Sequence, residues 1–142
     1  MGRIRTTRLL SPLGGADAQG KCVAEIILVI DDNPLMLATL GEALTTDHTI
    51  PVLAVSGADA LQKVQRGIAP DAVVIDLDMR EGFAVLADLE CAMEEVPVIA
   101  LSSSPGRLLE AGIADAVVMK PFEVGQLRSC VDRTCEQPRG AL

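Results

Sequence analysis

"ILVIDDNP", Ile27 to Pro34, runs from a strand-like apolar stretch into two adjacent carboxylates, Asp31 and Asp32, and then into a proline suited to the first turn of a helix. An unbroken aliphatic run of this kind fits a strand covered on both faces, as in a parallel sheet. Two like charges at the end of such a strand repel each other and lose hydration, so a cation or a positive side chain has to stand beside them.

Four further β-branched runs follow, alternating with helical patterns, which is the signature of βαβ units. The expected strands are Glu25 to Ile30, Ile50 to Val55, Ala72 to Asp76, Val96 to Leu101 and Ala116 to Met119. The first helix is expected from Pro34 to about Thr45, with Leu37, Leu40, Gly41 and Leu44 inward. A second, near Gly57 to Arg66, turns Ala58, Leu61, Val64 and Ile68 to one side and stops at Gly67; a third, Gly82 to Glu95, turns Phe83, Leu86, Leu89 and Met93. Between the last two strands "SPGRLLEAG" allows about two turns, with Ser104 as N-cap and Gly112 as stop. A final helix aligns Val124, Leu127, Val131 and Cys135.

At 142 residues and 49% hydrophobic composition the chain suits one domain with a single compact core. Residues 1–24 read as a disordered extension, 25–136 as the domain and 137–142 as a tail. Phe83 and Phe122 are the only aromatic residues, so a base-stacking surface has almost nothing to stack with. The net charge of −8 also argues against nucleic acid and anionic membranes, the more so because residues 1–24 carry +3 and leave −11 for the rest. Cys22, Cys91, Cys130 and Cys135 form no C-x-x-C pair, and His48 stands alone in "TTDHT", so reduced thiols fit better than zinc. No stretch reaches the roughly twenty apolar residues of a membrane span. The start, with only Leu9, Leu10 and Leu13 as its apolar part, lacks the body of an export signal, and a cytoplasmic location is expected.

The polar residues collect where strands end: Asp31 and Asp32 after the first, Asp76 at the third, Ser102 after the fourth, Lys120 after the fifth. In an open parallel sheet ligands bind outside those ends, where the strand order reverses. Carboxylate oxygens with waters suit Mg2+. A lysine and a hydroxyl suit a phosphoryl group, and Asp76 is placed to be a nucleophile that accepts it.

"ILVIDDNP", "DAVVIDLDM", "PVIALSSS" and "AVVMKPF", in that order and spacing, resemble the four signature blocks of the response-regulator receiver domain of two-component signalling, over about Glu25 to Glu136. The resemblance implies a CheY-like, flavodoxin-like (βα)5 three-layer α/β sandwich with a parallel five-stranded sheet in order 2-1-3-4-5. It implies Asp76 as phosphoacceptor, Asp32 as a direct Mg2+ ligand, Asp31 acting mainly through metal-bound water, and the Asp78 backbone carbonyl as a further ligand. Ser102 would hydrogen-bond the phosphoryl group, Lys120 would pair with it, and the Lys120–Pro121 bond would be cis. The implied partners are a histidine kinase or phosphotransfer protein as donor and a protein target downstream; the domain itself is not an enzyme beyond its own phosphorylation and dephosphorylation.

Three departures stand out. "DMREGF" has Arg80 where the family usually has proline and is about two residues short before Gly82. Asp78 adds a carboxylate beside Asp76, either a solvated loop acid or a charge that repels a phosphate donor. Ser102 to Lys120 is about four residues short, and Val117 stands where the family usually has an inward-swinging Tyr or Phe. These leave open a pseudo-receiver that acts as a constitutive protein-binding module. "VVIDLDM" also fits the D-x-D strand of haloacid-dehalogenase-type phosphatases, but the acidic pair they carry after the lysine is missing after Lys120.

Overall fold

The computed structural model describes residues 24–93, 95–104 and 114–136. Its elements are β1 (Glu25–Ile30), α1 (Pro34–Leu44), β2 (Thr49–Ala54), α2 (Gly57–Gln65), β3 (Ala72–Asp76), α3 (Gly82–Ala92), β4 (Val98–Ser102), β5 (Ala116–Met119) and α4 (Val124–Glu136). All sheet pairings are parallel and the order is β2-β1-β3-β4-β5, the flavodoxin-like arrangement.

Alternation along the strands divides the core into two layers. Leu28, Ile30, Val73, Ile75, Val98 and Ala100 point to one face and meet Ala60 of α2 and Val85, Leu86 and Leu89 of α3. Ile27, Val29, Val74, Ile99 and Leu101 point to the other and meet Leu37, Leu40 and Leu44 of α1 and Leu127, Cys130 and Val131 of α4. With both faces covered, the strands have no polar side, which is why they read as continuous apolar runs.

Three strands fall where the sequence puts them, and two are displaced. β2 begins at Thr49, which pairs with Glu25 and donates its hydroxyl proton to the Leu44 carbonyl; it ends at Ala54 because the Val55 N–H turns to Asp59. β4 begins at Val98 rather than Val96, since Pro97 has no N–H to give, and extends to Ser102. Inward faces also shift. Ala58 is exposed while Ala60 is buried, Phe83 is 47% exposed with Val85 buried in its place, and Val124 is 43% exposed with Cys130 buried. The third helix stops at Ala92, short of Glu95, although Met93 stays buried. The helix expected over Ser104 to Gly112 lies outside the described residues apart from Ser104, as do Cys22 and the two terminal segments apart from Ala24. Cys91 is exposed, Cys130 buried and Cys135 half-buried. His48 is a surface residue 4.0 Å from Asp132. Among the described residues, no helix is long and apolar enough to cross a membrane.

Candidate functional site

The strand order reverses between β1 and β3, and the crevice beyond their carboxyl ends receives the polar residues. Register does the placing. Asp76 closes β3 opposite Leu101, and Ser102 closes β4 opposite Met119, so Lys120 follows at the same edge, its N–H bonded to the Ser102 carbonyl at 2.9 Å. The Lys120 Nζ lies 2.8 Å from Asp76 Oδ1 and 3.4 Å from Asp78 Oδ2. The Lys120–Pro121 bond is cis.

Asp31 sits on the other side of Asp76, only 1% exposed. Its Oδ1 accepts the Asn33 N–H at 2.9 Å, while Oδ2 is buried with no hydrogen-bond partner. Burial pushes its carboxyl up, the Asn33 bond pulls it down, the Asp76 charge raises it again, and Lys120 and Asp32 add smaller opposing effects; the net direction is up. Asp32 lies exposed beside it. Asn33 then caps α1, its Oδ1 accepting from Leu35 N at 3.0 Å and Met36 N at 3.3 Å.

The loop after β3 is tight. Met79 N bonds the Asp76 carbonyl and Gly82 N the Met79 carbonyl, with Glu81 between them in the left-handed region at φ 62°. A Cβ on Gly82 would meet Leu77 Cα at 3.1 Å and the Asp76 carbonyl oxygen at 3.3 Å, so glycine lets the shortened loop pack closely against the phosphoacceptor candidate. Arg80 is exposed.

Asp78 is exposed on the loop, yet its carboxylate meets more than solvent. Its N–H donates to Asp76 Oδ1 at 2.9 Å, Oδ1 accepts the Ser102 hydroxyl at 3.2 Å, and Oδ2 accepts the Ser103 N–H at 3.0 Å. Burial works to raise its carboxyl, but the Ser103 hydrogen bonds and the Lys120 charge outweigh it and hold it below the usual range. Lys120 is shifted the other way: burial opposes its charge, and the hydrogen bond and charge of Asp76, with Asp78 beyond, more than offset that and raise it.

The structure thus joins Asp76, Asp78, Ser102 and Lys120 by direct bonds and sets Asp31 against Asp76 electrostatically. The Ser103 N–H escaped the sequence reading because a backbone donor leaves no side-chain signal; only its place after the strand-ending Ser102 hints at it. Among the described residues no three His, Cys, Asp or Glu side chains stand close enough to hold a metal unaided. An Mg2+ ion asks less, since it keeps several waters and takes one or two carboxylates. The orphaned, buried Asp31 oxygen and an all-oxygen donor set fit that ion.

Residues 27–132 match the response regulator receiver domain family. The chain is 37% identical over 108 residues to the transcriptional regulatory protein PrrA of Mycobacterium tuberculosis, a match covering 71% of this chain and 46% of that protein. It therefore spans about half the length of that relative. Its fold is similar to chemotaxis response regulator CheY4 of Vibrio cholerae, at 22% identity and TM-score 0.69, covering 79% of this chain and 99% of that one. It is equally similar to the receiver domain of sensor histidine kinase PA1611 from Pseudomonas aeruginosa PAO1, solved with a magnesium ion in its active-site cleft, at 24% identity and TM-score 0.69, covering 81% and 100%.

Proposed function

The chain belongs to the response regulator receiver domain family, and from that premise we propose that residues 25–136 form an Mg2+-dependent switch that accepts a phosphoryl group on Asp76. The observation that carries the reading is the convergence of Asp76, Ser102 and Lys120 from three separate strands, with Lys120 Nζ 2.8 Å from Asp76 Oδ1. The donor is a histidine kinase or phosphotransfer protein, and the phosphorylated domain acts by changing its contacts with a target protein. The location is cytoplasmic, where a kinase finds its ATP.

In the transfer a carboxylate oxygen of Asp76 attacks phosphorus. The P–N bond to the donor imidazole breaks, its electron pair stays on the imidazole, and that ring takes up a proton. An acyl phosphate remains, its oxygens facing the Lys120 ammonium and the Ser102 hydroxyl. Asp32, Asp76 and the Asp78 backbone carbonyl would hold Mg2+ directly, and Asp31 would act mainly through metal-bound water. When bound, the ion supplies positive charge against the transferring phosphoryl oxygens. Lys120 holds its proton throughout, because Asp76 and Asp78 favour its charged form.

Intact-protein mass spectrometry after incubation with acetyl phosphate and Mg2+ tests this. One added phosphoryl group is expected for the wild type and none for Asp76→Asn or for wild type in excess chelator. A wild-type mass that stays constant with several donors leaves a constitutive binding module as the better reading.

A further inference from the structure

The three donors that the proposed function assigns to an incoming phosphoryl group, or that lie next to it, are already engaged by an anion of the chain itself. Ser102 gives its hydroxyl proton to Asp78 Oδ1, Ser103 its N–H to Asp78 Oδ2, and Lys120 Nζ stands 3.4 Å from that same oxygen. We infer that the Asp78 carboxylate is an internal occupant of the phosphoryl seat, which a phosphoryl group on Asp76 must displace, and whose displacement is the switching event of this domain. The inference rests on Asp76 being the phosphoacceptor.

Charge and donor count both require the displacement. A phosphoryl group brings nearly two negative charges and three acceptor oxygens. A carboxylate two residues away cannot keep the same hydroxyl, N–H and ammonium while that group takes them, since two anions sharing one set of donors repel each other. Asp78 has somewhere to go, because it lies on the loop after β3 and its side chain is 33% exposed.

The same bonds explain how the site communicates without an aromatic side chain at position 117. The Asp78–Ser102 and Asp78–Ser103 bonds tie the loop after β3 to the end of β4, 24 and 25 residues further along the chain. Val117 is half-buried against the α2/α3 layer of the core, and a valine side chain is too short and too stiff at χ1 to swing into the site. Release of Asp78 unfastens the two loops at once. A ligand shifts a two-state element only through its differential affinity for the two states, and here the differential contact is the seat itself.

Beryllofluoride with saturating Mg2+ serves as the probe, titrated calorimetrically into wild type, Asp78→Asn and Asp78→Ala. Hydrogen bonds to a charged group are worth roughly 1.5–3 kcal/mol, so removing the competitor should tighten binding about tenfold or more for Asp78→Ala, with Asp78→Asn between it and wild type. In the unmutated protein the Ser103 amide resonance should move on saturation, as it exchanges a carboxylate for the probe. Equal or weaker binding by both variants overturns the inference while leaving the phosphoacceptor reading intact, as does a stationary Ser103 resonance in saturated wild type. Failure of wild type and both variants alike to bind would remove the phosphoacceptor reading, and this inference with it.

Discussion

Asp31 holds a charge in a position that disfavours it: 1% exposed, one oxygen without a partner, and Asp76 and Asp32 nearby. Its carboxyl is raised above the ordinary 3.8, so the metal-free fold binds that proton more tightly than the unfolded chain does. The resulting stability is fully present below 3.8 and is lost as pH rises through the higher folded value. At neutral pH, without metal, the group therefore works against the fold. Asp31→Asn keeps an oxygen for the Asn33 N–H and removes the buried charge and its repulsion from Asp76; it should raise the metal-free stability at pH 7 by on the order of 1 kcal/mol. The gain should shrink as pH falls below the ordinary carboxylate range. Thermal melts in chelator at pH 7 and pH 3 would show this, and an unchanged or lower Tm at pH 7 would mean that Asp31 is already compensated. The sequence shows this strain at once, because two acids ending an apolar strand need no coordinates to look costly. What Asp78 does was not legible there. Its reach to Ser102 and Ser103 depends on the path of the five-residue loop between β3 and α3, and alternation along a strand says nothing about a loop.

At the scale of the elements, α2 is fixed at its start by side chains. Ser56 accepts the Asp59 N–H at 3.0 Å, and Asp59 reaches back to the Val55 N–H at 3.1 Å while pairing with Lys63, a reciprocal cap at the helix start. The Lys63 hydrogen bond lowers the Asp59 carboxyl, burial opposes it, and the Val55 N–H lowers it further. Its contribution is thus present above 3.8 and lost as pH falls through the depressed folded value. Ser56→Ala should cost about 1 kcal/mol at any pH, whereas the cost of Asp59→Asn should fade as pH falls below 3.8. Chemical denaturation at pH 7 and pH 3 separates the two, and a cost for Asp59→Asn that persists at pH 3 would contradict the ion-pair account. The helix start at Pro34 and the glycine stop were readable: α1 begins at Pro34 and Gly67 turns at φ 112° after α2, both as expected, whereas the caps Asn33 and Ser56 were not picked out. Buried faces were read less well. Periodicity favours the largest apolar residue, yet Phe83 and Val124 face outward where Val85 and Cys130 fit the narrow space over the sheet. Gly57 shows how narrow it is, since a Cβ there would stand 2.5 Å from a Val85 methyl.

Across the whole molecule, five strands that separately mean little are brought into one order, and the order makes the site. Asp31, Asp76, Ser102 and Lys120 share an edge only because β1 and β3 are neighbours with β4 and β5 beyond. The sequence could place these residues at strand ends, and the four motif blocks together supplied the strand order that periodicity leaves undetermined. As a phosphoacceptor site, this edge would deliver a phosphoryl group to Asp76 and to no other carboxylate of the cluster. Hydride reduction of the acyl phosphate, after treatment with acetyl phosphate and Mg2+, turns the modified aspartate into homoserine, which peptide mass mapping then locates. Homoserine is expected at position 76 alone; homoserine at 31, 32 or 78, with Asp76 intact, would rule out Asp76 as the phosphoacceptor.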